Sequence, residues 1–319
     1  MTPLWTAPAA AGAFLQASAV PYARRPDALR GRVFRKRDVL ARGLLTEGEL
    51  RSSAWRRLFR GVYADASLPD SFGLRVAGAR LLIPSEAVFS GRTAAFLHGA
   101  TELADVRDPV EVSVPTGVRF GPVAGLRIRQ VRLSGSDVVL VSTRPCTNGL
   151  RTALDIARHE PLMEAIPALD VLLSRAVVGK GELEEAATGL IVGRGAARAR
   201  KAVELANPLA ESQPESRLRV ILALAGLHPV PQYGVRDADA KFVARVDLAF
   251  VEQRVAIEYD GVWHGAAGQL AKDRRRLNKL VQEGWKVLHL TAADMYDPAA
   301  VVAAVRRLLA SCEIGEFGL

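Results

Sequence analysis

The stretch Val255-Ala-Ile-Glu-Tyr-Asp-Gly-Val-Trp-His-Gly265 begins as an apolar strand and then presents Glu258, Asp260 and His264 within seven positions. Asp247 lies eleven residues before Glu258, inside the apolar run from Phe242 to Phe250. A carboxylate in an apolar strand is costly without a partner, and strand pairing sets such positions side by side. Two neighbouring carboxylates repel and raise a pKa unless a cation sits between them, and magnesium prefers oxygen ligands of this kind. A structural ion pair of Asp247 with Arg245 or Arg274 accounts for that residue equally well. An imidazole titrates near neutrality and can exchange a proton at such a site.

These groups must be positioned by the segment that follows Pro208. Pro214 suits the first turn of a helix over Glu215 to Gly226, after the polar Glu211-Ser-Gln. Strands are expected over Pro231 to Val235, Phe242 to Phe250 and Arg254 to Tyr259, the last two joined by a tight turn at Glu252-Gln253. A helix from Gly268 to Glu283, a strand from Trp285 to Leu290 and a helix from Pro298 to Ala310 complete the order αβββαβα. Gly261 lets the chain turn off the strand end, and Trp263 is expected to pack beneath that loop, the alternative being that it stacks on a base.

Taken together, the strand Asp247, the run Glu258-x-Asp260-Gly-x-x-His264, a basic helix with Asp273 and Arg276, and the run GWKVLHL resemble the Vsr-like branch of the restriction-endonuclease-like, PD-(D/E)xK nucleases. The resemblance covers about residues 211 to 309. It implies a metal-dependent DNA endonuclease, with Asp247 and Glu258 holding Mg²⁺ (or Mn²⁺), Glu215 as a supporting carboxylate, and His264 as general base or water-orienting group. A cation so held would polarise a phosphodiester and activate water for its hydrolysis. One position departs from the pattern: the superfamily lysine two residues after the strand glutamate is Asp260 here. His264, Lys272 or Arg274 compensates, or Asp260 joins the metal shell; failing these, the domain binds DNA without cutting it. The cationic run Lys272, Arg274, Arg275 and Arg276 suits phosphate contact next to such a site, and is otherwise a solvated helix face.

Basic charge gathers at the other end of the chain. Residues 1–65 hold 12 Lys/Arg against 5 Asp/Glu, whereas residues 211–319 hold 14 of each. That asymmetry points to a polyanionic partner, although an Arg-rich composition gives the same balance. The segment from Phe34 to Ala64 reads as a winged helix-turn-helix: a helix near Arg37 to Ala41, Thr46 capping a second helix from Glu47, and Trp55 to Tyr63 as the wing hairpin. Arg51, Arg56, Arg57 and Arg60 then fall at phosphate-contacting positions; a basic helical hairpin is the simpler alternative.

Residues 68 to 160 mix helices around Phe72 to Leu82 and Thr93 to His98 with the runs VEVSVP, LRIRQVRL and VVLVST, and Leu150 to Ala206 reads as a helical connector. His98 is expected to be packed rather than reactive. The basic segment with FRGVYA, the run SGRTAAFLHG and the run RTALDIAR resemble the AbiE-type antitoxins of bacterial phage-defence modules. That resemblance implies DNA binding by the N-terminal part, and a toxin-like protein partner.

The expected class is α/β, α+β overall, in three parts: a winged-helix-like domain at 1–66, an α+β domain with helical connector at 67–208, and an endonuclease-like domain at 209–319. With 319 residues, 49% hydrophobic content and a net charge of +9, the chain has the material for several cores. Its apolar runs fall short of the roughly 20 residues that span a bilayer, and its start lacks the basic region of a signal peptide, so a cytoplasmic protein is expected. Cys146 and Cys312 lie too far apart in sequence to read as a metal or redox motif.

Overall fold

The computed structural model describes residues 23–190, 193–261 and 267–313, without the side chains of 267–273 and 313. His264 and Trp263 lie outside the described residues, as do the side chains of Lys272 and Asp273. The chain divides into two compact units, Met1–Asp70 and Ser71–Leu319. Its class is α+β, and no helix among the described residues is long and apolar enough to cross a membrane.

The first unit contains β1 (Val33–Arg35), α1 (Lys36–Ala41), β2 (Trp55–Phe59) and β3 (Val62–Asp65). The strands form an antiparallel sheet in the order β1-β3-β2. Leu29, Phe34, Val39, Leu45, Leu50 and Trp55 make its core, with the Phe34 and Trp55 rings edge to face at 5.3 Å. The hairpin expected between Trp55 and Tyr63 is present, and Gly61 takes the positive φ of +77° that its tight turn requires. The helix expected from Glu47 is not formed. Thr46 and Glu49 do exchange capping bonds, Thr46 N–H to Glu49 Oε2 at 2.7 Å and Glu49 N–H to Thr46 Oγ1 at 3.3 Å. Only a 3₁₀ turn, Glu49–Arg51, follows, because the chain must already be extended for β2 by Trp55.

The second unit opens with α2 (Phe72–Arg80), β4 (Val88–Phe89), α3 (Gly91–Leu97), β5 (Val110–Pro115), β6 (Leu126–Val131), β7 (Val138–Val141) and β8 (Arg144–Thr147). These strands form a mixed sheet ordered β6-β5-β4-β8-β7. Four helices follow: α4 (Gly149–His159), α5 (Leu162–Ser174), α6 (Lys180–Thr188) and α7 (Ala196–Leu205), packed through Ile156, Ile166, Leu169, Leu172 and Leu183. The last segment comprises α8 (Gln213–Leu224), β9 (Val230–Arg236), β10 (Phe242–Phe250), β11 (Val255–Asp260), α9 (Ala267–Gln282), β12 (Lys286–Thr291) and α10 (Pro298–Glu313). This is the expected αβββαβα order.

The boundary expected at 208/209 falls inside the second unit, where the Arg219 guanidinium of α8 meets the Asp170 carboxylate of α5 at 2.7 Å, both buried. Asp170 also accepts the Asn207 amide at 2.7 Å, so one carboxylate ties the connector to the segment after it. The final sheet runs β12-β11-β10-β9, antiparallel except for the parallel pair β11 and β12. Leu218, Ile221 and Leu222 of α8 and Val301 and Val305 of α10 cover Leu248, Val255, Ile257 and Leu290. Leu280 of α9 and Trp285 pack with Val235, Val246, Ala249 and Ala256. β11 is thus covered on both faces over Val255 to Glu258, which explains why it reads as a nearly continuous apolar run.

Candidate active site

The carboxylates gather where β10 and β11 lie beside each other. Their paired ladder ends at Leu248 and Ile257, and Asp247 and Glu258 are the next residue of each strand beyond that end. The Asp247 side chain turns to the neighbouring strand, and its Oδ2 accepts the Tyr259 amide at 2.8 Å. Burial pushes Asp247 above the usual carboxylate range, the Tyr259 amide opposing and the charge of Glu215 adding to the rise.

Glu258 is buried, with 8% of its side chain exposed, and its Oε1 receives Arg276 of α9 at 2.6 Å. Burial pushes it up to about 7; the Arg276 charge opposes the shift, and the charges of Asp247 and Asp260 add to it. Arg276 also donates to the Arg245 carbonyl, so α9 is tied to β10 and β11 together. Arg276, expected at a phosphate, has its guanidinium on Glu258. Neither Arg245 nor Arg274 is paired with Asp247: Arg245 reaches Glu211 at 2.7 Å, and Arg274 is exposed.

Glu215 comes from the start of α8. Ser212 caps this helix by accepting the Glu215 amide at 3.3 Å, while the Glu215 carboxylate accepts the Ser212 hydroxyl at 2.8 Å. It also takes the Glu211 amide at 3.2 Å and the Gln232 side-chain amide at 2.9 Å. Gln232, on β9, holds a φ of +51°, a left-handed conformation that costs free energy in a residue bearing a side chain. Gln232 carried no sequence signal.

Asp260 and His289 complete the strand end. β11 and β12 pair in parallel with Glu258 beside His289 and Asp260 beside Thr291. His289 Nδ1 lies 3.1 Å from Asp260 Oδ2, with 41% and 53% of the two side chains exposed. His289 stood inside the GWKVLHL run without being singled out, because only the parallel register brings it next to Glu258.

Among the described residues, no group of three or more His, Cys, Asp or Glu side chains is arranged to hold a metal ion. The donor chemistry of Asp247 and Glu258 nevertheless fits a hard divalent cation, since a half-buried and a buried carboxylate offer oxygen donors whose proximity is unfavourable when both are ionised.

The candidate nucleic-acid contacts of the first unit separate into two kinds. Arg51, Arg57 and Arg60 are exposed, the last two on the β2–β3 hairpin. Arg56 is half-buried and donates to the Leu68 carbonyl at 3.0 Å, with Asp70 at 3.7 Å. On α9, Arg275 is exposed like Arg274. Away from these groups, His98 Nε2 meets the Thr147 carbonyl at 2.8 Å, and burial pushes the neighbouring Cys146 thiol up to about 11.

The fold and this site define an α+β protein whose C-terminal sheet carries a carboxylate cluster. Two Mycobacterium tuberculosis proteins, Uncharacterized protein Rv2248 of strain H37Rv and Uncharacterized protein MT2308 of strain CDC 1551, are each 31% identical to it over 258 residues, covering 79% of this chain and 92% of theirs. The chain belongs to the family of these mycobacterial proteins. No protein-family model matches it. Among solved structures, the catalytic domain of the homing endonuclease I-Bth0305I shares 23% identity, covering 31% of this chain and 95% of that domain with a TM-score of 0.27. The RV2827C protein from Mycobacterium tuberculosis shares 18% identity over 64% of this chain and 78% of its own, with a TM-score of 0.37.

Proposed function

We propose that this protein is a metal-dependent endonuclease that hydrolyses phosphodiester bonds of DNA, with the basic first unit as its DNA-binding module. The observation that carries this reading is the meeting of Asp247 and Glu258 on adjacent strands, each pushed above its ordinary pKa by burial and by nearby carboxylates. Neighbouring carboxylates repel when both are ionised, and a cation between them relieves that repulsion. Mg²⁺ or Mn²⁺, held by Asp247 and Glu258, would supply Lewis acidity and charge neutralisation to a phosphodiester.

The chain's own residues prepare the site. The Tyr259 amide fixes one Asp247 oxygen, and Ser212, Glu211 and Gln232 hold Glu215 close to Asp247. Arg276 lies on Glu258, and the exposed Arg274 and Arg275 of the same helix would suit a neighbouring phosphate.

The same ion pair favours a second reading. An arginine already bound to Glu258 can replace the cation permanently, leaving a non-catalytic DNA-binding regulator that keeps the sheet as a surface.

Incubation with Mg²⁺ or Mn²⁺ and a panel of duplex, nicked, mismatched and single-stranded DNA and RNA, beside Asp247→Ala and Glu258→Ala proteins, tests the two readings. The nuclease reading expects cleavage that both substitutions abolish while gel-shift binding persists. Binding without cleavage on any substrate rejects it in favour of the regulator.

A further inference from the structure

Side chains two apart on a strand share a face, and in-register neighbours on a parallel pair do likewise. Glu258 and Asp260 of β11 and His289 of β12 therefore emerge on one face, with His289 beside Glu258 and its Nδ1 3.1 Å from Asp260 Oδ2. A carboxylate only accepts hydrogen bonds, so Nδ1 carries the proton in this contact and the lone pair of the neutral ring is on Nε2. An exposed Asp–His contact contributes little to stability, so its value lies in the orientation it gives the ring.

We propose that His289 is a further catalytic residue of this site, the acceptor of a proton from the attacking water, and that Asp260 is its positioning residue; this rests on the nuclease reading above. The water oxygen bonds to phosphorus as one of its protons passes to Nε2 of His289. The bond from phosphorus to the leaving sugar oxygen breaks with its electron pair, and that oxygen takes a proton from solvent. The imidazolium then returns its proton to solvent. The position that carries lysine in the superfamily pattern thus holds an aspartate because its task here is to orient an imidazole supplied by the next strand.

Steady-state cleavage by the full chain with Mn²⁺ tests the assignment in wild type, His289→Ala, His289→Gln, Asp260→Asn and His264→Ala, with thermal melts confirming that each variant is folded. Loss of the proton acceptor is expected to lower kcat on the order of 100-fold in both His289 variants with KM unchanged. Exogenous imidazole should restore His289→Ala and leave Glu258→Ala inactive. Asp260→Asn should lower kcat less, again at constant KM. Wild-type rates in folded His289→Ala, or a loss that imidazole does not repair while His264→Ala is repaired, overturn the assignment and leave the nuclease reading standing. Absence of cleavage by wild type removes both.

Discussion

The Arg276 guanidinium of α9 lies 2.6 Å from the Glu258 carboxylate of β11, so the helix after the strand end supplies the countercharge for a buried acid on it. Replacing Arg276 with Gln leaves Glu258 buried without its partner. The cost is expected at about 1–2 kcal/mol, below the roughly 3–5 of a fully buried pair, because 38% of the Arg276 side chain meets solvent. Urea unfolding without added metal measures it. Isothermal titration with Mn²⁺ should show tighter binding to Arg276→Gln than to wild type, because the competitor for Glu258 is gone; weaker binding would count against a cation at Glu258.

The raised pKa of Glu258 makes stability depend on pH. The folded protein holds a proton on this group up to about pH 7, whereas the unfolded chain releases it near 4.5. The folded state therefore binds more protons across that window, and stability falls as pH rises through it. Thermal melts in metal-free buffer should show a lower Tm at about pH 7.5 than at about pH 5. Glu258→Gln should flatten part of this dependence, leaving the smaller contribution of Asp247, whose pKa is shifted in the same direction. An unchanged slope in Glu258→Gln would refute the assignment.

Asp170 and Arg219 form the buried contact between α5 and α8. Burial pushes Asp170 up, the Arg219 charge opposing. Asp170→Ala strands the Arg219 guanidinium and the Asn207 amide, and is expected to lose roughly 3–5 kcal/mol. The double variant Asp170→Leu, Arg219→Met should recover most of that loss, since neither buried charge then remains. Denaturation midpoints of the three proteins decide the matter; a double variant as unstable as the single one would show that the pair does more than hold charge.

Arg57 and Arg60 on the hairpin are exposed, while Arg56 is committed to the Leu68 carbonyl. If the hairpin meets phosphate, Arg57→Ala with Arg60→Ala should reduce the slope of log affinity against log salt by about 2. Arg56→Ala should change the melting temperature more than the salt dependence. Equal salt slopes for wild type and the double variant would exclude the hairpin from the interface.

The elements were legible in the sequence wherever local chemistry decided them. The apolar run of β11, the alternation of β10, the Ser212-x-Pro214-Glu215 start of α8 and the glycine stops after α8 and α9 each act over a few residues, and all of them appear in the fold. Thr46 shows where such signals end: its capping exchange with Glu49 forms, yet the helix behind it does not, because the strand at Trp55 claims the chain.

Sequence by itself also determined which acids would be costly, since Asp247 and Glu258 sit in apolar strands whatever their neighbours. Only tertiary structure decided their partners. Pairing register and helix packing are long-range, and they gave Asp247 the Tyr259 amide, Glu258 the Arg276 guanidinium, and Glu215 the Gln232 amide. His289 depends on them most. It lies 29 residues from Asp260 in the chain, and the parallel pairing of β11 with β12, made after the α9 crossover, is what brings the two side chains together.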